Sequence, residues 1–352
     1  MMKHYINCLK VFLAMLVVWF HTSSGYGGAG GWYFIEPSND EMSMSVLTLL
    51  NAIIQSFFMG LFFFISAYFS PKSYDRKGFY QFLKDRVPRL LLPALFYFFI
   101  LNPLCVNMVR ETKYTESLGF YNMWFIMALL YFTIIYALIR KAGLAKSVKA
   151  HFPGVKGLLV FILIMGTLNF ATRLIFPTNI MYVHDFSLGY FPQYIVLFIA
   201  GIAAYRNGWL EQFNERVVNI YFRVSLVSII TLPVVFLLVG PDRVGKFYGG
   251  FTLESIYYSF WEPFTYVGII MKLLVVFRKR LNRDSPVLGL LNRSSYSIYI
   301  IQAPFIIALQ LALAGLEINI IIKVILVSLL AFMLSWGVSL LLLRIPRLNN
   351  IL

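Results

Sequence analysis

The sequence predicts an all-α, polytopic integral membrane protein with about ten transmembrane helices and both termini in the cytoplasm. Three observations carry that prediction. Of the 352 residues, 60% are hydrophobic and 18% aromatic, with a mean hydropathy of +0.76, which no soluble domain with a polar surface carries. Ten apolar stretches approach the roughly 20 residues a helix needs to cross the hydrocarbon core. The basic residues crowd into alternate loops.

The ten stretches are 9–23, 46–69, 90–108, 123–139, 157–176, 189–205, 224–239, 255–277, 294–314 and 318–343. The first runs from Lys10 to an apolar block, 11–20, that ends at His21. The second closes on FFFISAYFS (62–70), and the third follows the basic segment 72–89. The fourth opens at Trp124 and stops at Arg140 and Lys141. The fifth to eighth are each followed by a short polar loop, the eighth carrying Glu262 within FWEPF (260–264). The ninth contains SYSIYIIQAPF (295–305), and the tenth holds Lys323 inside an otherwise apolar run. No stretch is left that could form a soluble domain, so the chain reads as one membrane domain over residues 1–352.

A net charge of +15 would suggest nucleic acid in a soluble protein, but sorting by loop gives another meaning. One side collects 24 of the 30 Lys and Arg residues, among them Lys3, Lys72, Arg86, Arg89, Arg140, Lys146, Arg206 and Arg280. The other holds only Arg110, Lys113, Arg173, Arg243 and Lys246. The excess charge therefore sets topology and attracts anionic headgroups. Membrane lipid is an expected partner and nucleic acid is not. The start resembles a secretory signal, yet no A-x-A pattern closes the apolar run, and removing it would leave an odd span count against the charge pattern. Cys8 and Cys105 fall toward opposite ends of their spans, too far apart for a disulfide.

His21 is the one histidine at membrane depth, and an ionisable residue there marks a functional site or a wetted interface. Lys10 precedes it by 11 residues, which on a helix puts both on one face about 16 Å apart along the axis. Arg86 and Arg89 flank Pro88, a residue favoured at the first helical position. A helix opening near Val87 would set its free N–H groups beside two guanidinium forks, a phosphate site; plain positive-inside charge is the other reading. Glu262 is a carboxylate inside an apolar span beside Pro263, costly unless it faces a partner or a cavity. Trp124 suits an interfacial anchor or a cavity wall. The stretch GYGGAGG (25–31) lacks the Gly-Lys-Ser/Thr ending of a phosphate loop and reads as a flexible outer loop. No HExxH, GxSxG, EF-hand or CxxC pattern occurs, so no metal is expected.

The ordered set of a first-span His, FFFISAYFS, RVPR (86–89), MWFIMALL (123–130), FIAGIAAY (198–205), FWEPF and SYSIYIIQAPF resembles the membrane-bound acyltransferase family 3. Within it, FFFISAYFS and LLLRIPRL (341–348) look closest to periplasmic-glucan succinyltransferases. The resemblance implies transfer of an acyl group from cytoplasmic acyl-CoA to a hydroxyl of a carbohydrate or cell-envelope glycan, in a bacterial cytoplasmic membrane, with no tightly bound cofactor. It makes His21 the catalytic residue, general base or acyl carrier, with Glu262 orienting it or pairing with a basic group. Arg86, Arg89 and Lys10 would bind the donor, and Trp124, Ser66, Tyr68 and Gln302 would line the cavity. This chain departs from the pattern at Lys10 and Asn7, at Ala67 in place of glycine, and at Gln302 in place of a frequent histidine. The alternative is a transporter of a glycan or lipid-linked intermediate, but no internal repeat or matched pair of broken spans supports it.

Overall fold

A computed structural model describes residues 4–144, 149–283 and 285–349; Lys3 and Lys146, sorted to the basic side, lie outside them. Among the described residues there is no strand, and ten helical segments are long and apolar enough to cross a membrane. In chain order the helices are α1 (His4–Ser24), α2 (Glu41–Tyr68), α3 (Ser70–Phe96), α4 (Asn102–Val109), α5 (Trp124–Lys141) and α6 (Val155–Arg173). They continue with α7 (Phe191–Asn207), α8 (Glu215–Val239), α9 (Leu253–Arg280), α10 (Pro286–Ala312), α11 (Ile320–Leu342) and the short α12 (Pro346–Asn349). One π-helical segment, Tyr97–Leu101, joins α3 to α4. The all-α, ten-span expectation holds.

The third span departs from expectation. Rather than opening near Val87, α3 begins at Ser70 and runs through Pro88 and Pro93, with its one break at Gly78 (φ 71°, ψ 176°). Gln81 donates to Asp85 one turn on, and Lys77 pairs with the same carboxylate, so the helix is already built when it reaches Pro88. Arg86 and Arg89 thus lie one turn apart in mid-helix, without the free N–H groups of a helix start. Local proline preference lost to propagation, which is cheaper than a new nucleus.

The chain divides into two compact units. One comprises Met1–Gln55, Val87–Met127 and Arg280–Leu352, the other Ser56–Arg86 and Ala128–Lys279. In the first, α1, α10 and α11 pack on one another through Val11 and Val18, Ile298, Ile306 and Ile307, and Val324, Val327 and Phe332. The loop after α1 joins this core, burying Tyr26 and Trp32. It is tied down by the Lys323–Glu36 ion pair at 2.5 Å and by Asn319 Nδ2 donating to Asp40 Oδ2 at 3.2 Å. The glycine-rich segment is therefore a packed loop rather than a loose one.

In the second unit, helices approach closely at small residues, as membrane helices do where packing rather than water drives association. Gly201 of FIAGIAAY lies against the Phe64 carbonyl of α2, where any Cβ would collide. Proline leaves a carbonyl without its helical donor, and at two of the in-helix prolines a side chain supplies one. Pro263 frees the Ser259 carbonyl of α9, which accepts from Asn169 Nδ2 at 3.4 Å. In the first unit Pro93 frees the Arg89 carbonyl, which accepts from Tyr296 Oη at 2.9 Å.

Candidate active site

His21 lies in the last turn of α1, and its ring is half-buried. Gln302 of α10, fully buried, places its amide Nε2 3.0 Å from His21 Nδ1. Trp32 of the loop after α1 stacks on the ring, centroids 4.8 Å apart and planes 19° from parallel, while Phe20 meets it edge-on at 6.1 Å. Among the described residues, His21 Nε2 has no hydrogen-bond partner. One nitrogen is engaged, one face is covered, and one nitrogen is open.

Trp32 is itself fixed. Its indole N–H donates to Gln310 Oε1 of α10 at 2.7 Å. Gly25 makes room for this pair, since a Cβ there would fall 2.8 Å from both the Trp32 ring and the Gln310 carboxamide carbon. Behind Trp32 lies Tyr33, its ring tilted 55° against that of Tyr121 with centroids 4.4 Å apart, and it forms part of a directional hydrogen-bond chain. Tyr33 O–H donates to Asn102 Oδ1, so the 2.7 Å bond between the two phenols runs from Tyr97 to Tyr33, and Asn122 Nδ2 donates to Tyr97 Oη at 3.1 Å. Tyr299 Oη closes the set on the Asn122 carbonyl. Burial, with Tyr97 beside it, pushes the Tyr33 hydroxyl well above the usual tyrosine range, so it remains a donor at any working pH. The hub, Tyr97, opens the π-helical segment, a geometry that recurs at functional sites.

The remaining expected residues fall as follows. Arg89 is exposed, while Arg86 is half-buried with its guanidinium 5.0 Å from the Phe82 ring centroid. Lys10 is half-buried on α1, and Trp124 is half-buried at the start of α5 with its ring against Phe125. Ser66 is half-buried, its carbonyl accepting from Ser70 Oγ, and Tyr68 is buried edge-on to Tyr205 at 5.5 Å. Glu262 pairs with Arg173, both side chains at 0% exposure. The Arg173 guanidinium also donates to the Gly189 carbonyl and Ser259 Oγ, each at 3.3 Å. Tyr190 and Tyr258 flank it with ring centroids 5.3 and 5.2 Å away. Arg173, sorted by sequence to the outer loops, is thus the buried basic partner of Glu262, and the ring nitrogen of His21 is engaged by Gln302.

Sequence reasoning missed Trp32, Gly25, Gln310 and Arg173. Gln310 was findable, because an amide inside an apolar span is as conspicuous as Glu262. The others became visible only through partners far along the chain.

A family model described as an acyltransferase domain matches residues 3–344. No curated protein and no solved structure matches the chain. With an almost complete family match on a ten-span helical fold, the chain belongs to acyltransferase family 3 and is a membrane acyltransferase.

Proposed function

We propose that this acyltransferase moves an acyl group, acetyl, succinyl or similar, from cytoplasmic acyl-CoA to a hydroxyl of a carbohydrate or cell-envelope glycan in a bacterial cytoplasmic membrane. The observation that carries the reading is His21, oriented on two sides and open at Nε2. Nε2 takes the acceptor hydroxyl proton as its oxygen attacks the thioester carbonyl. The C–S bond breaks, the coenzyme A thiolate leaves, and the imidazolium returns the proton to it. Attack by Nε2 itself, giving a transient acyl-histidine, uses the same atom.

Arg86 and Arg89 hold the donor phosphates through their guanidinium groups, with Lys10 adding charge. The succinyl group and a periplasmic glucan are the preferred pair, on FFFISAYFS and the C-terminal LLLRIPRL. Purified protein in proteoliposomes, given radiolabelled acyl-CoA and glycan, tests the reading by mass spectrometry of the product. A positioned base contributes roughly 10² to 10⁴ in rate, so His21→Gln and His21→Ala lose about that much turnover while donor binding survives. Wild-type activity falls as pH drops and the ring becomes protonated, because the imidazolium has no lone pair. Near wild-type transfer by correctly inserted His21→Gln removes His21 from the chemistry. Acceptor movement across vesicles without any donor would make the protein a transporter instead.

A further inference from the structure

We propose that Gln302 and Trp32 are positioning residues for His21, together holding its ring in the tautomer that leaves Nε2 bare toward the acceptor hydroxyl. The inference rests on His21 acting as base and specifies how a neutral partner makes it one.

A neutral imidazole carries one N–H and one lone pair, and the partner of one nitrogen decides the state of the other. The Gln302 amide, 3.0 Å from Nδ1, can face the ring with either end. With its NH2 toward Nδ1, as placed, it donates into that lone pair, and the proton sits on Nε2, where it blocks the base. In this arrangement Gln302 Oε1 is buried with no partner. With the amide turned, Oε1 accepts from Nδ1–H and Nε2 is bare. That same bond then serves the imidazolium once Nε2 has taken the proton. The turned arrangement gives the oxygen a partner, leaves the NH2 in its place, and puts an acceptor where positive charge develops. Because the amide is neutral, it also leaves the ring able to surrender the proton to the departing thiolate.

Trp32 supplies the second restraint by fixing the ring plane, through the 4.8 Å stack and the 2.7 Å bond to Gln310. Gln302 and Gln310 both belong to α10, so one helix anchors the ring directly and through the indole. The groups facing His21 are Phe20 from its own helix, Trp32 from the loop after α1 with Tyr33 behind it, and Gln302 from α10. None titrates near neutral pH. A new carboxylate at position 302 would therefore act on the ring without competition.

The test compares full-length variants in proteoliposomes. A hydrogen bond to a charged group corresponds to about 10- to 150-fold, so Gln302→Met is expected to lose that much kcat with the acyl-CoA KM unchanged. Gln302→Glu keeps the size, always accepts from Nδ1–H, and should move the acid limb of the pH–rate profile upward by about 1 to 3 pH units. A purely structural glutamine predicts no such movement. Trp32→Phe should retain more kcat than Trp32→Ala, with donor KM the same in both. If Gln302→Met does not insert, the Gln302→Glu profile decides. An acid limb that stays in place, with transfer still dependent on His21, overturns the positioning role alone. Wild-type transfer by His21→Gln overturns the base reading and this inference together.

Discussion

Arg173 and Glu262 each have no solvent exposure, so each charge must be answered inside the protein. The guanidinium is answered by Glu262, Ser259 and the Gly189 carbonyl, and its flanks by Tyr190 and Tyr258. Among the described residues Glu262 Oε1 has no hydrogen-bond partner; the other oxygen carries the pairing, with Asn169 as a second donor at 3.4 Å. Removing one member of a buried pair strands the other charge and costs about 3–5 kcal/mol, whereas replacing both with apolar groups is often neutral. Glu262→Gln is therefore expected to lower the thermal unfolding temperature in detergent sharply. Arg173→Met combined with Glu262→Met should recover most of it and retain transfer. A double variant that is stable but inactive would give Glu262 a chemical role.

At the scale of elements, α3 carries Arg86 and Arg89, the proposed donor arginines, on the helical stretch that follows its break at Gly78. Without a helix N-terminus nearby, the proposed donor recognition at Arg86 and Arg89 would rest on their guanidinium groups rather than on backbone N–H groups. Charge-assisted hydrogen bonds are worth roughly 1.5–3 kcal/mol each. Arg86→Ala or Arg89→Ala should accordingly raise the acyl-CoA KM about 10- to 150-fold. Lysine should rescue only partly, since an ammonium cannot form the bidentate fork. Unchanged donor KM in both alanine variants would reduce the two arginines to topological charge. Arg89 is also tied to α10 through its carbonyl and Tyr296 Oη, so the helix whose Gln302 meets His21 touches α3 through the carbonyl that Pro93 leaves free.

For the whole molecule, residues that the charge sorting assigns to one side meet in space. Asp75 pairs with Arg140 at 2.9 Å and with Arg206 at 2.6 Å, bringing together the start of α3 and the ends of α5 and α7. From the opposite side, Asp40 in the loop after α1 meets Asn319 in the loop before α11. With both termini proposed to face the cytoplasm, Lys72→Cys should be protected from an impermeant thiol reagent in intact cells, while Lys113→Cys and Asp242→Cys should label. Labelling at position 72 would invert the orientation and put Arg86 and Arg89 on the wrong side for the proposed acyl-CoA donor.

The sequence by itself determined the class, the ten spans and the conspicuous polar residues within spans. Lipid explains this legibility: it forces every backbone group into a helix and makes each ionisable side chain at depth an exception, so His21, Glu262 and Lys323 stood out from their surroundings alone. Their partners did not. Glu262 answers Arg173 from 89 positions away, Lys323 answers Glu36 across 287, and Trp32 reaches Gln310 across 278, distances at which periodicity and composition carry no information. Pro88 failed as a local signal because the preceding turns of α3 had already formed a helix that could propagate through it. Only tertiary packing decided that the glycine-rich loop folds inward, that Trp32 lies on His21, and that the histidine's partner is a neutral amide, since each depends on contacts made after the helices have assembled.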